Sequence, residues 1–500
     1  MKVFLMYKDQ DFNLQRQLPS NEQALTQDLE LNTLFNAMAL GDKFLFEVAN
    51  KVVLTGINDH PDSIRYRQNI LKDCLKNSSI VRDIYNLAAE SIENKKQHYW
   101  GFYSRYPGSI LYSSIEMLQM FVGMIKKLKN IADEHADKFE SGGFTAFFAM
   151  IKKKLDDEYF ASIQNHLKEL KFRDGVLISA ELGKGNEGAN YILRKPQDKK
   201  QNWMQRIFAT KPPVYSFHIA ERDEGGARAL SELKDRGINL VANALAQSTD
   251  HILGFFSMLR TELAFYVGCL NLHGRLAQKG EPICFPQPVA PGGRRHSFIG
   301  LYDICLALIL EQRIVGNDVD ADNKDLVIIT GANQGGKSTF LRSVGLAQLM
   351  MQCGMFAPAE SFCSNVCDGL FTHYKREEDS DMNSGKLDEE LSRMSEIVNN
   401  ITSNPMMLFN ESFAATNERE GSEIARQIIC ALFEKHIKCF FVTHLYEFAH
   451  GFYDKKMENA ISLRAERQTD GGRTFKLIEG EPLQTSYGED LYNGIFGTDN

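Results

Sequence analysis

The sequence lacks the features that mark a disulfide-built or membrane-spanning protein. Its nine cysteines are scattered over 500 residues, and no two of them form a CxxC pair. This usage supports neither a disulfide framework nor a zinc ribbon, and it favours a reducing compartment. No run of about 18 apolar residues occurs, so we expect no membrane span and a cytoplasmic protein.

An excess of charge of one sign is missing as well. The chain has 57 Lys and Arg against 65 Asp and Glu, a net charge of −8. That balance excludes a uniformly basic nucleic-acid coat but leaves a local basic patch open. Hydrophobic residues make up 43% and charged residues 24%. This is ordinary globular composition, and the length suggests about two to four domains.

Proline is scarce, with thirteen residues, and four of them lie in residues 280–293. We interpret this segment as a domain boundary. Residues 1–280 are predicted to form a mainly helical domain with a short β and basic insertion near 174–217. Residues 281–500 alternate strand-like and helical stretches, which predicts an α/β domain.

Helical spacing of apolar residues predicts helices over 62–98, 109–136, 144–172 and 226–277. Short strands are predicted at 176–180 and 191–194, around a glycine-rich turn that has no strand-to-helix context and so is no phosphate loop. The Met and Phe stripes of the second and third helices are predicted to be core, namely Met117, Met120, Phe121, Met124, Phe144, Phe147 and Phe148.

The strongest motif lies in the second half. Residues 326–330, LVIIT, predict a buried strand, and GANQGGKS at 331–338 follows it directly and leads into a helical pattern. This is GxxxxGK[ST] in the strand–loop–helix context that binds nucleotide phosphates. Lys337, predicted to be half-exposed, would reach the phosphates, and Ser338 would bind Mg²⁺. The predicted nucleotide contacts are Gly331, Asn333, Gly335, Gly336, Lys337, Ser338 and Thr339.

Two further predicted strands end in polar residues. Residues 406–409 precede Asn410 and Glu411, where phosphate-loop ATPases usually carry Asp and then Glu. Glu411 is the candidate general base, and Asn410 is either a neutral metal ligand or a turn cap. Residues 440–443 precede His444, which would sense the γ-phosphate or would be a capped structural residue.

These residues together resemble the MutS family of DNA-repair ATPases. The resemblance rests on TGANQGGKSTFLR from Thr330, GMFAPAESF from Gly354, NESFAATNEREG from Asn410, THLYEF from Thr443 and SYG from Ser486. It covers residues from about 300 to 495, and more weakly the helical half. It implies an ABC-type P-loop ATPase domain behind a helical core and lever domain, ATP with Mg²⁺, a head-to-tail homodimer, and DNA as partner.

Several positions depart from the family pattern. Ala332 and Gln334 replace Pro and Met, and Asn410 replaces Asp. The family's trans-acting serine loop corresponds to residues around Ser384 and Gly385, which we expect to contact nucleotide bound to the other protomer. No Phe-x-Glu wedge occurs in the first 150 residues, so we expect the mismatch-reading domain to be missing, and likewise the C-terminal dimerisation helices.

A basic and aromatic segment is the candidate DNA contact. Residues 194–211 hold six basic residues against one acid, with Trp203 and Phe208 interleaved. It would bind backbone phosphates and exposed bases, favouring branched or partly single-stranded DNA, or it is a solvated loop.

The sequence thus predicts a slow ATPase that couples nucleotide state to DNA binding in repair or recombination. Asn410 keeps one alternative open, a non-hydrolysing switch that dimerises on binding ATP. A transporter ATPase subunit is disfavoured because no LSGGQ signature occurs.

Overall fold

The computed structural model describes residues 1–58, 60–97, 106–173, 175–195, 215–376, 385–468 and 471–484. The chain folds into two compact units. The first unit consists of Met1–Val3, Arg82–Lys138 and Thr145–Arg260. The second consists of Phe4–Val81, Phe139–Phe144 and Thr261–Asn500.

Helices dominate the N-terminal part of the chain. They are α1 Glu22–Asp28, α2 Leu31–Ala39, α3 Lys43–Thr55, α4 Pro61–Lys76, α5 Ser78–Gln97, α6 Pro107–His135, α7 Gly142–Lys154 and α8 Asp157–Glu169, with a 3₁₀ turn at Ala136–Lys138. Strands β1 Leu177–Leu182 and β2 Gly188–Arg194 then pair as an antiparallel hairpin, and α9 runs from Glu224 to Gln278. The predicted helices over 62–98, 109–136 and 226–277 and the two predicted strands are confirmed.

The prediction of one continuous helix over 144–172 is wrong. The backbone breaks between α7 and α8, where Asp156 adopts an extended conformation. Its carboxylate accepts a hydrogen bond from the Tyr159 N–H at 2.8 Å. A side chain that caps a helix N-terminus starts a new helix at that residue, and this local signal outweighs the continuous apolar spacing.

The core of the first unit is built from apolar faces of α6, α7 and α9. The stripe residues of the first unit are buried as predicted, except for Met120, which is half-buried. Phe121 of α6 stacks on Phe256 of α9 with ring centroids 6.0 Å apart. Aromatic rings supply the largest buried area per residue, so these helices are stabilised chiefly by packing.

In the part of the chain that the structure describes, two helices are long and apolar enough to cross a membrane by length and composition alone. They are Pro107–Lys138, with a mean hydropathy of 1.2, and Glu224–Gln278, with 1.3. Half of the apolar window in the first and 67% of that in the second is buried inside the protein. Core helices of globular proteins pass the same test, so this is weak evidence for a membrane span.

The second unit contains the remaining strands and helices. Its C-terminal elements are β3 Gln287–Val289, β4 His296–Leu301, α10 Ile304–Ile309, β5 Asn317–Asp320, β6 Leu326–Gly331, α11 Lys337–Gln352, β7 Ser361–Asn365, β8 Gly369–Tyr374, α12 Lys386–Asn400, β9 Pro405–Asn410, α13 Glu418–Glu434, β10 Lys438–Val442, α14 Tyr446–Asp454, β11 Ala460–Arg467 and β12 Arg473–Glu479. A short 3₁₀ turn occurs at Pro291–Gly293 in this unit, and another occurs at Lys184–Asn186, between β1 and β2 of the first unit.

Two sheets form in this unit. The larger has the order β12-β11-β6-β10-β9-β8, in which β11 to β8 are parallel and β12 is an antiparallel edge strand. The smaller is mixed, with the order β3-β7-β4-β5. All six residues of β6 and all five of β10 are buried. Parallel strands covered on both faces are expected to be almost continuously apolar, and these two are so apart from Thr330 in β6 and Lys438 in β10.

A buried carboxylate fixes the N-terminal segment of the second unit. Glu262 of α9 is fully buried, and its oxygens accept hydrogen bonds from the N–H groups of Leu5, Met6 and Phe12 at 2.6, 3.2 and 2.8 Å. Burial raises the pKa of Glu262 to about 7, although the three N–H groups act in the opposite direction. One side chain therefore satisfies backbone groups that no helix or strand supplies with partners.

We predict that Glu262→Ala lowers the free energy of unfolding by at least about 2 kcal/mol, because three buried N–H groups lose their acceptor. Urea unfolding at pH 8, where the carboxylate is ionised, measures the change. Glu232→Ala on the same helix is the control, since Glu232 is exposed, and it is expected to stay within about 0.5 kcal/mol of the parent protein. Equal stability of the two variants would contradict the prediction.

Candidate functional site

A glycine-rich loop joins the central strand β6 to α11. Gly331 and Gly336 have φ of 107° and 85°, and Gln334 between them has φ of 58°. Glycine adopts such left-handed conformations without the steric cost that other residues bear. Gly336 is the N-cap of α11 and makes no side-chain cap hydrogen bond, so the first turn of the helix opens directly onto the loop.

Close packing against β11 explains two of the glycines. A Cβ atom on Gly331 would lie 2.8 Å from the Ala465 nitrogen, and one on Gly335 would lie 2.7 Å from the Ala465 Cβ. Real Cβ atoms do not approach other atoms so closely, so both positions exclude a side chain. The motif predicts that these glycines are needed for phosphate binding. The structure shows a second reason, which is that β11 leaves no room for a side chain at either position.

Lys337 is buried, with 5% of its surface exposed, so the prediction of a half-exposed side chain is wrong. Its ammonium group turns back into the loop and donates to the carbonyl oxygens of Gly331 and Ala332, both at 3.0 Å. Burial lowers the pKa of Lys337 to about 8; the Glu411 carboxylate opposes this and the positive charge of Arg473 adds to it. A cation held by carbonyl groups alone is placed to accept an anionic partner.

Ser338, in the first turn of α11, meets Asn410, the last residue of β9. The Ser338 hydroxyl donates to the Asn410 side-chain oxygen at 2.9 Å. Two oxygens that bind one Mg²⁺ at about 2.1 Å on adjacent octahedral positions are roughly 3 Å apart, so the pair fits this cation. Among the described residues, no group of three or more His, Cys, Asp or Glu side chains could hold a metal. Magnesium would therefore depend on these two neutral oxygens, water and phosphate.

Glu411 and His444 form the next pair along the same edge of the sheet. The Nε2 atom of His444 lies 2.9 Å from Oε1 of Glu411, and each side chain is about one-third exposed. The hydrogen bond from His444 is the main cause that lowers the pKa of Glu411. Glu411 also has φ of 53°, a left-handed conformation that is costly for a non-glycine residue and that clusters at functional sites.

The strand register brings these groups together. Val442 pairs with Asn410 and with Ile329, so β9, β10 and β6 end at the same level of the sheet. Carboxyl ends of parallel strands share one edge, and loops there carry ligand sites in α/β proteins. The structure thus gathers Lys337, Ser338, Asn410, Glu411 and His444, as the sequence predicts.

A cavity of about 510 Å³ opens beside the loop. Its wall includes Gln334, Gly336, Thr339, Tyr302 and Phe475. Thr339, a predicted nucleotide contact, therefore lines this cavity together with loop residues. The volume is in the range of small-molecule pockets.

The remaining predicted residues are Gly385 and several that lie outside the described part of the chain. Gly385 is the N-cap of α12, and a Cβ added there would meet no described atom within 4 Å. Ser384 lies outside the described residues, as do Trp203, Phe208 and the SYG motif at 486–488. At the described start of the basic segment, Arg194 donates to the Ser179 hydroxyl at 2.9 Å and Lys195 pairs with Glu169 at 2.7 Å.

Sequence reasoning missed the β11–β12 hairpin at the site. Arg473 of β12 donates through Nε to the carbonyl oxygen of Asn333 in the loop at 3.2 Å. Phe475, two residues on, lies over Gly336, whose added Cβ would be 3.6 Å from its ring. Alternating apolar residues around Gly471-Gly472 indicate a hairpin, but nothing in the sequence tells which strand it joins.

Comparison with known proteins identifies the family. The family model of the MutS2 N-terminal domain matches residues 59–279, and that of MutS domain V matches residues 327–493. Between them they cover most of the chain, and the second contains every predicted site residue. The chain belongs to the MutS family. This confirms the resemblance drawn from the motifs.

Curated MutS relatives match the chain at modest identity. The DNA mismatch repair protein MutS of Lactococcus lactis subsp. cremoris (strain MG1363) is 26% identical over 385 residues, which are 73% of this chain and 42% of that protein. The DNA mismatch repair protein MutS of Clostridium kluyveri (strain NBRC 12016) is 30% identical over 186 residues, 36% of this chain and 21% of that protein. This MutS-family chain thus spans about two fifths of the length of the Lactococcus relative.

Proposed function

We propose that the chain binds and hydrolyses ATP with Mg²⁺ at the glycine-rich loop, in an ABC-type P-loop domain, and couples its nucleotide state to DNA binding in repair. The observation that carries this is the convergence of a buried lysine, two oxygen ligands and a carboxylate–histidine pair at one sheet edge. The names of the MutS relatives support the DNA-repair part. We also propose that a domain boundary lies near residue 280, and that the protein is cytoplasmic and has no membrane partner.

The roles of the residues follow from their positions. Lys337 would exchange its two carbonyl partners for phosphate oxygens, a charge-assisted and stronger interaction. Ser338 and Asn410 would hold Mg²⁺, which neutralises negative charge on the phosphates when bound. The cavity beside Thr339 would take the nucleoside.

Hydrolysis would depend on Glu411. A carboxylate accepts a proton from the attacking water best when its pKa is near the working pH. The hydrogen bond with His444 lowers the pKa of Glu411, so the group is ionised but weakly basic. His444, which lies 2.9 Å from the carboxylate, would hold it in place and would sense the γ-phosphate. We therefore propose slow turnover.

The partners are also proposals. A head-to-tail homodimer would bring Ser384 and Gly385 of one protomer to the nucleotide of the other. The basic segment 194–211 would bind branched or partly single-stranded DNA through phosphate contacts.

A non-hydrolysing, ATP-dependent dimerisation switch is the second candidate. The Ser338–Asn410 pair favours it, because an amide holds Mg²⁺ without the charge attraction of a carboxylate. Turnover measurements on the variants below separate the two.

We predict that Lys337→Met abolishes MgATP binding in calorimetric titration, because the phosphates lose their buried cation. Met fills a similar volume, so circular dichroism should report an unchanged fold. Lys435→Met is the control, since Lys435 is exposed at the end of α13, and it is expected to bind as the parent does. If Lys337→Met binds MgATP with the affinity of the parent protein, the nucleotide site is not at this loop.

We predict that Asn410→Asp raises the rate of phosphate release, because a carboxylate attracts Mg²⁺ more strongly than an amide. Glu411→Ala should bind MgATP and retain it unhydrolysed, measured as labelled ATP recovered from the complex. Hydrolysis by Glu411→Ala at the parent rate would show that Glu411 is not the base. ATP-dependent dimers with no phosphate release in the parent and in Asn410→Asp would favour the switch.

We predict salt-dependent DNA binding that favours partly single-stranded over duplex DNA, with little effect of a single mismatch. Replacing Lys199, Lys200 and Arg206 by Ala should reduce the slope of log affinity against log salt by roughly two to three. Replacement of Lys152, Lys153 and Lys154, exposed on α7, changes the same charge and is the control. Tight mismatch-selective binding at physiological salt would overturn this part of the proposal.

A further inference from the structure

The β11–β12 hairpin lies along one side of the glycine-rich loop. Ala465 of β11 pairs with Gly331 in the sheet register, and Phe475 of β12 lies beside Gly336. Asn317 donates to the Phe475 carbonyl oxygen at 3.2 Å and accepts from the Leu477 N–H at 2.7 Å, which anchors β12 to β5. A fixed strand therefore presents its side chains to the loop.

The Arg473 side chain extends from this hairpin and bonds to the backbone of the glycine-rich loop. Its Nε donates to the Asn333 carbonyl oxygen at 3.2 Å, and Nη1 donates to the Gly471 carbonyl oxygen at 3.0 Å. The guanidinium is thus fixed to its own turn at one end and to the loop at the other. Planar guanidinium groups hold such two-point geometries more rigidly than an ammonium group does.

The bond to Asn333 fixes the orientation of one peptide group in the loop. In a trans peptide the C=O and the following N–H point in opposite directions. With the Asn333 carbonyl turned toward Arg473, the N–H of Gln334 points away from the guanidinium. The carbonyls of Gly331 and Ala332 face the Lys337 ammonium instead. Lys337 and Arg473 therefore bond to successive carbonyls of the loop, Lys337 to residues 331 and 332 and Arg473 to residue 333.

Arg473 also adds charge at the site. It is near enough to Lys337 to act on that ammonium electrostatically. Two cations near one another repel, and a polyanion placed between or beside them relieves that repulsion while gaining attraction from both. The arrangement favours binding of a phosphate chain over the empty state.

We propose that Arg473 is a positioning residue of the nucleotide site, which sets the shape of the loop through the Asn333 carbonyl and supplies a second positive charge for the phosphates. This rests on the proposed function, since it presumes that the loop binds nucleotide.

The test compares Arg473→Ala and Arg473→Lys with a matched control on the same hairpin. Arg464→Ala removes the same charge from β11, where alternation directs Arg464 to the opposite face from Ala465 and its side chain lies against Gly480. MgATP affinity is measured by titration, and the unfolding midpoint is measured without and with MgATP.

Arg473→Ala is expected to weaken MgATP binding by about tenfold or more, as loss of a charge-assisted contact does. Its unfolding midpoint without nucleotide should stay close to that of the parent, because the loss of the two hydrogen bonds from Arg473 is offset by relief of repulsion on Lys337. The upward shift of the midpoint on adding MgATP should shrink. Arg473→Lys, which keeps the charge, should bind with intermediate affinity, and Arg464→Ala should bind as the parent does.

Other outcomes overturn the proposal and are separable from failure of the proposed function. Parental affinity in Arg473→Ala, with binding lost in Lys337→Met, would leave the nucleotide site in place and remove Arg473 from it. If the unfolding midpoint of Arg473→Ala without nucleotide is lowered enough to account for the weaker binding, Arg473 only stabilises the fold. No recovery in Arg473→Lys would exclude the contribution of charge. If the parent itself binds no MgATP, the proposed function fails first.

Discussion

The position of β6 between β10 and β11 is the constraint on which the candidate site depends. Because the three strands are parallel and in register, the glycine-rich loop, the Thr443-His444 end and the β11–β12 hairpin emerge at one edge. The pairing of Ala465 with Gly331 places a backbone nitrogen where a side chain at 331 would have to lie. The glycines are therefore required by the sheet as well as by any ligand.

Lys337 lies within electrostatic reach of the Arg473 guanidinium and the Glu411 carboxylate, and the neighbouring Asn410 side chain carries no charge. Lys337 is held by backbone carbonyls, which solvate an ammonium group less well than water does. A site of this kind gains free energy from a polyanion, and any ligand that binds only the folded state stabilises it in proportion.

Sequence reasoning reached the parts of the structure that are encoded locally. The loop, the polar strand ends at Asn410, Glu411 and His444, and most helices follow from short patterns that need no partner. The sequence-based predictions failed where contacts between residues far apart in the chain determine the conformation. The burial of Lys337 depends on carbonyls that turn inward, and the contact of Arg473 with Asn333 joins residues 140 positions apart. The break at Asp156 is encoded locally by its N-cap, but the prediction followed the continuous apolar spacing instead.

The carboxylate of Glu262 has a consequence for how the chain is made. It bonds to backbone groups 250 to 257 positions earlier in the sequence. During synthesis from the N-terminus, residues 4–12 cannot reach their final environment until more than half of the chain has left the ribosome. Contacts of such long sequence separation form late and slow folding, since the intervening chain must first be closed into a loop. Residues 4–12 are thus synthesised long before the side chain that accepts their hydrogen bonds.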